Sequence, residues 1–163
     1  MENNANYTGA VSDADRSNGD VTVLNTLIAT LLDSVEGYQK SAEDLDNQAF
    51  RTMFLERARE RQSAVTKLQA AVAQLGGDPE NDTSVMGSIH RVFVDLKAAV
   101  TGRDDKAIVN EVERGEDYLK GKFETAMNNA DLSAIARNAV NEAWVSVREG
   151  HDQMSALKHG MLG

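Results

Sequence analysis

From Val21 onward, apolar residues return along the chain at alternating spacings of four and three. Leu24, Ile28, Leu31, Val35, Tyr38, Ala42 and Leu45 form the first series, which predicts one buried stripe on an amphipathic helix. Asp20 is a candidate N-cap for it, since its carboxylate can accept a free backbone N–H of the first turn. After Asp46-Asn47 the pattern restarts as Phe54, Ala58, Arg61, Val65, Leu68, Val72 and Leu75. Gly76-Gly77-Asp78-Pro79 ends this second helix, because glycine can adopt a left-handed cap and proline blocks continuation. Ser84 can cap a shorter helix carrying Ile89, Phe93, Leu96 and Val100, closed by Thr101-Gly102. Asp104 and Asp105 then suit the positive end of a further helix dipole. That helix carries Ile108, Val112, Gly115, Leu119 and Ala126, flanked by Val109 and Phe123, and Asn128-Asn129 breaks it. Asp131 is the candidate cap of the last helix, striped by Ala136, Val140, Ala143, Val147, Gly150, Met154 and Leu157.

The lengths of the breaks predict the topology. Two long helices joined by a tight turn are antiparallel neighbours, and the last two repeat that relation. The long connection between the pairs, with its own short helix, makes the second and third long helices parallel. Two hairpins joined by one crossover define an all-α, ferritin-like up-down four-helix bundle with an additional short helix in the crossover; a five-helix stack is the alternative. Residues 1–20, rich in Asn, Asp, Ser and Gly, read as a flexible tail, and 21–160 as the bundle domain.

Composition narrows the chemistry. The 163 residues include one proline, no cysteine and 5% aromatics, which argues against a sandwich or barrel and removes disulfides and thiolate-held metals. Seventeen basic against 26 acidic residues give a net charge of −9, which disfavours nucleic acid and anionic membranes as partners. The N-terminus lacks the basic start and apolar core of a signal peptide. No run of about 18 apolar residues predicts a membrane span, so a cytoplasmic location is expected. With no cysteine, no G-x-S-x-G elbow and no phosphate-cradling glycine loop, no catalytic residue is assigned.

The stretches EGYQKSAED (36–44), GSIHRVFVDLKAAVTGRDDKAI (87–108) and EVERGEDYLKGKFETAM (111–127) resemble an uncharacterised bacterial family of ferritin-like four-helix-bundle proteins, catalogued as a domain of unknown function. Ser84, Ser88, His90 and Arg91, followed by Asp95-Leu96-Lys97, carry the most specific part of the likeness. The resemblance implies a ferritin-like fold in a bacterial protein with a suggested link to iron or stress, and no agreed catalytic set.

A ferritin-like di-iron centre needs one Glu on each of two helices and Glu-x-x-His on each of the others, because residues three apart on a helix converge on one metal. The motif is absent: three positions before His90, His151 and His159 stand Gly87, Arg148 and Ala156. Glu36, Glu56, Glu60, Glu113, Glu142 and Glu149 fall away from the apolar stripes, whereas Glu116 shares the face of Val109 and Phe123. The residual metal candidates are Glu116, His151, Glu149 and Asp152, with iron as the alternative to no cofactor at all.

Arg61 is the anomaly, a cation within a core stripe. Burying a guanidinium requires a hydrogen-bonded partner, so Arg61 is expected to pair with Glu116 in a core polar cluster completed by Tyr38 and His151. Alternatively, Arg61 lies near a bundle end and snorkels outward. His151 is otherwise a seam histidine, a metal ligand or a proton donor. His90 and Arg91 are read as anchors of the crossover helix, or as an anion site, and His159 as part of a frayed end. Gly115 and Gly150 permit close helix packing, or else line a small-ligand cavity. Together these features predict a non-enzymatic bundle, stress-associated by resemblance, acting through protein–protein contacts and homo-oligomerisation, with a dimer as one form and the protein partner unidentified. The alternatives are a divergent carboxylate-bridged metal protein and a small-ligand carrier.

Overall fold

The computed structural model describes residues 13–81 and 104–162. Among these, the chain forms four helices and no strand: α1 (Asp13–Asp44), α2 (Gln48–Gln74), α3 (Asp105–Met127) and α4 (Ala134–Leu162). The short crossover helix expected after Ser84, together with Ser88, His90 and Arg91, lies outside the described residues. So do residues 1–12 of the expected tail.

Local chemistry sets the helix ends. Asn47 Oδ1 accepts the Phe50 N–H at 3.0 Å to cap α2, and Asp104 Oδ1 accepts the Ala107 N–H at 2.7 Å to cap α3. At the end of α2, Gly76 has φ +82°, and the Gly76 and Gly77 N–H groups bond Ala73 O and Val72 O. This is the glycine-dependent Schellman closure anticipated from the sequence. Two expectations about caps change. Helix α1 starts at Asp13 rather than after Asp20, so Asp20 lies inside it, and residues 13–20, read from sequence as tail, are its first turns. The buried Asp20 carboxylate instead receives the Ser133 N–H at 3.3–3.4 Å. The cap of α4 passes from Asp131 to Ser133, whose hydroxyl accepts the Ala136 N–H at 3.3 Å.

The four helices form two hairpins, α1 against α2 and α3 against α4, with α2 also facing α4 and α1 facing α3. Asp105, in the first turn of α3, accepts the Asp46 and Asn47 N–H groups, both at 2.8 Å. The start of α3 therefore lies beside the α1–α2 turn, where α2 also starts. Helices α2 and α3 run parallel, and only a crossover the length of the bundle can join them. At the opposite end, the Asp20–Ser133 contact aligns the starts of α1 and α4. This is the predicted ferritin-like topology.

The predicted stripes form the core. Every stripe residue of α1 is buried, as are Phe54, Ala58, Val65, Leu68 and Val72 of α2, Ile108, Val112 and Leu119 of α3, and Ala136, Val140, Ala143, Val147 and Met154 of α4. Burial of the larger of these side chains contributes about 1.5–3 kcal/mol each, and this sum rather than helix propensity holds the bundle together. No helix among the described residues is long and apolar enough to cross a membrane.

Candidate functional site

At mid-bundle the apolar core is interrupted by charge. Arg61 comes from α2, one turn beyond Ala58, and is wholly buried together with Tyr38 and Glu116. Its Nη2 donates to Glu116 Oε2 at 2.7 Å, and its Nη1 donates to Ser34 Oγ at 3.0 Å. Tyr38 Oη donates to the other Glu116 oxygen, Oε1, at 2.6 Å. The guanidinium also lies 5.8 Å from the Tyr38 ring centroid, within cation–π range, and Phe54 packs edge-on against that ring at 5.1 Å. Helix α1 thus supplies two members, α2 one and α3 one, and Arg61 spans the diagonal of the bundle. Arg61 Nε has no hydrogen-bond partner among the described residues.

Helix α4 contributes an absence of side chain. Gly150 is buried, and a Cβ there would collide with Arg61 Nη2 and press on Arg57 Cδ at 3.2 Å. The glycine is therefore the recess that admits the guanidinium, not the wall of a ligand cavity. Arg57, one turn before Arg61, is 8% exposed. It bonds Gln153 of α4 through Nη2 (2.9 Å) and Nε (3.3 Å), and Glu60 through Nη1 (2.8 Å), fastening α2 to α4 beside the core cluster.

The charges fix protonation states. Burial, the largest single influence on Arg61, acts to lower its pKa, but the Glu116 carboxylate, Tyr38 and Glu60 together outweigh it and leave the pKa raised. Burial followed by the Glu116 charge drives the Tyr38 phenol well above its ordinary range. At neutral pH the cluster therefore holds a charged guanidinium and a protonated phenol, both bonded to Glu116.

The expected pairing of Arg61 with Glu116 and Tyr38 is present, and the snorkelling alternative is not. His151 is the correction. One residue past Gly150, the helix turns its side chain about 100° away from the recess, and it faces the outer α3–α4 seam. There its Nε2 lies 2.7 Å from Asp117 Oδ1 and its Nδ1 3.3 Å from Asp152 Oδ1. The four residual metal candidates form no common site: Glu116 is central and Glu149 is exposed, while His151 and the exposed Asp152 meet at the seam. Glu113, read from sequence as outward, is 9% exposed and accepts from Lys158 Nζ at 3.1 Å. His159 lies in the last turn of α4 with Nδ1 2.7 Å from Ser155 O. Sequence reasoning missed Ser34 and Arg57. Both stand one residue from a stripe member, Val35 and Ala58, and that adjacency was the available signal.

A di-iron centre in this fold draws four to six carboxylate and imidazole ligands from all four helices. Asp33 is buried on α1 one residue before Ser34; among the described residues, the groups bonded to one another at this level are Tyr38, Ser34, Arg61 and Glu116, beside the Gly150 backbone, and they include one carboxylate and one fixed cation. Both oxygens of that carboxylate are engaged. The donor set does not fit such a centre.

Fold and site together define a ferritin-like bundle with an ion-paired centre. Residues 20–129 match the family described as a domain of unknown function (DUF2383), and the chain belongs to that family. Among solved structures, a two-domain protein from Anabaena variabilis with DJ-1/ThiJ/PfpI-like and ferritin-like domains is similar, with TM-score 0.72 and 20% identity. The match covers 94% of this chain but 41% of that one, so the chain spans about two fifths of that protein's length. A dodecameric thioferritin, the bacterioferritin-related protein of Bacteroides fragilis, matches with TM-score 0.76 and 13% identity over 90% of this chain and 88% of its own. At these identities the likeness establishes the fold. No curated protein matches the chain in sequence.

Proposed function

We propose that the chain is a non-catalytic ferritin-like subunit that acts through contacts between protein surfaces, those of its own copies included. The observation that carries this reading is the Arg61–Glu116 pair, with Tyr38 and Ser34, at the level where the fold otherwise assembles a metal centre. A guanidinium there repels a cation and engages the central carboxylate, so the bundle interior serves stability. Function then falls to the outside of the bundle. Assembly is supported by the dodecameric state of the Bacteroides fragilis neighbour, and a role in stress physiology by the family resemblance.

The test joins two measurements on the full chain. Light scattering should give a concentration-stable multiple of the chain mass, and anaerobic Fe(II) titration followed by oxygen should give no oxidation above the buffer rate. A strict monomer refutes assembly. Oxidation of two irons per chain that is lost in Glu116→Gln refutes the non-catalytic centre and restores the carboxylate-bridged metal reading.

A further inference from the structure

We propose that Glu113, Asp117 and His151 form a mononuclear site for a divalent cation of zinc's class, clipping α3 to α4 on the outer face of the bundle. The site is separate from the ion-paired centre and goes beyond the function argued above. Glu113 and Asp117 stand four apart on α3, on one face of that helix. His151 reaches them from α4, and one ligand atom from each of the three lies within 4.8 Å of the others.

The ligand types and their supports suit the ion. Imidazole and carboxylate are zinc ligands at about 2.0–2.2 Å, which in a tetrahedron places neighbouring donor atoms roughly 3.3 Å apart. The His151 Nε2 to Asp117 Oδ1 distance is 2.7 Å, so a metal in place of the shared proton requires these two to part by only about half an ångström. Asp117 has the freedom to do so, its side chain being 57% exposed. Metal-bound histidine commonly gives its other ring N–H to a carboxylate, and Asp152 Oδ1 stands 3.3 Å from His151 Nδ1 for that role. A proton on Nδ1 leaves the Nε2 lone pair for the ion. Lys158 holds Glu113 through Oε2 at 3.1 Å, which leaves Oε1 to coordinate. Two carboxylates and a neutral imidazole balance a dication, and the exposed side of Asp117 leaves the fourth position to water. Imidazole disfavours magnesium and calcium, and the lack of sulfur disfavours copper(I).

The test is calorimetric titration of the full chain with zinc ion alone, repeated with cobalt(II) to read coordination by absorption. One ion per chain is expected. Asp117→Asn and His151→Ala should each weaken binding at least tenfold, and Asp152→Ala by about tenfold through loss of the orienting contact. Exposed Glu149→Gln should leave binding unchanged. Zinc should also raise the thermal midpoint of the native chain but not that of His151→Ala. Absence of zinc binding, or equal binding by His151→Ala and Asp117→Asn with unchanged helix content, overturns the proposal.

Discussion

Arg61 is held in the core chiefly by one directly bonded opposite charge, Glu116, with Glu60 adding a more distant one. Desolvating a guanidinium costs several kcal/mol, and Glu116 with two neutral oxygens nearby offsets that cost. Arg61→Met leaves Glu116 buried without its cation and should lower unfolding free energy by about 3–5 kcal/mol. The double variant Arg61→Met/Glu116→Leu should regain much of the loss, as measured by urea denaturation. Equal losses in the single and double variants would contradict a coupled pair. Tyr38 gives the cluster a pH signature. Because its folded pKa is raised, its contribution is fully present below the unfolded phenol value near 10 and is lost as pH rises through the folded value. Phenolate absorption should therefore show Tyr38 still protonated at about pH 10, ionising only as helix signal disappears. Tyr38→Phe should remove that late component, and ionisation of Tyr38 in the native chain at an ordinary phenol value would refute the assignment.

Helices respond to the same cluster through their spacing. An alanine in place of glycine within a helix ordinarily stabilises by up to about 1 kcal/mol. At Gly150 the sign should reverse, because the added methyl meets a guanidinium that cannot withdraw without breaking its bond to Glu116. Gly150→Ala should cost about 1–3 kcal/mol as overpacking, and should become neutral or stabilising once Arg61→Met empties the recess. A thermal melt of both variants and their combination reads this coupling directly. Much of each helix was legible from single residues: the four-and-three stripes name the buried faces, and Gly76 marks the end of α2 by the backbone angle it adopts. Facing pairs across two helices were less so. Glu116 could be matched to Arg61 because Arg61 falls on a stripe and Glu116 shares the flanking face of Val109 and Phe123. Glu113, Asp117 and His151 come together only through the axial offset of α3 against α4, which neither sequence period encodes. The start of α1 was missed because Asp13–Asp20 are polar, and one buried carboxylate at Asp20, received by α4, is a tertiary contact with no periodic signal.

For the whole molecule, the crossover topology followed from break lengths and is fixed physically by two end contacts, Asp105 to the α1–α2 turn and Asp20 to the start of α4. The diagonal ion pair adds something to that connectivity. Ser34, Tyr38 and Arg61 belong to the first hairpin, and Glu116 to the second. Separated, the first hairpin would expose an apolar face with a stranded cation and the second an apolar face with a stranded anion. Each half is therefore an unfinished object, and docking removes apolar surface and neutralises charge in the same event. Docking of the two hairpins is consequently coupled to the pairing of these two charges. The halves must meet in one axial alignment, since sliding one helical turn would set the guanidinium against hydrocarbon, and the centre of the bundle acts as a key that rejects mismatched pairings.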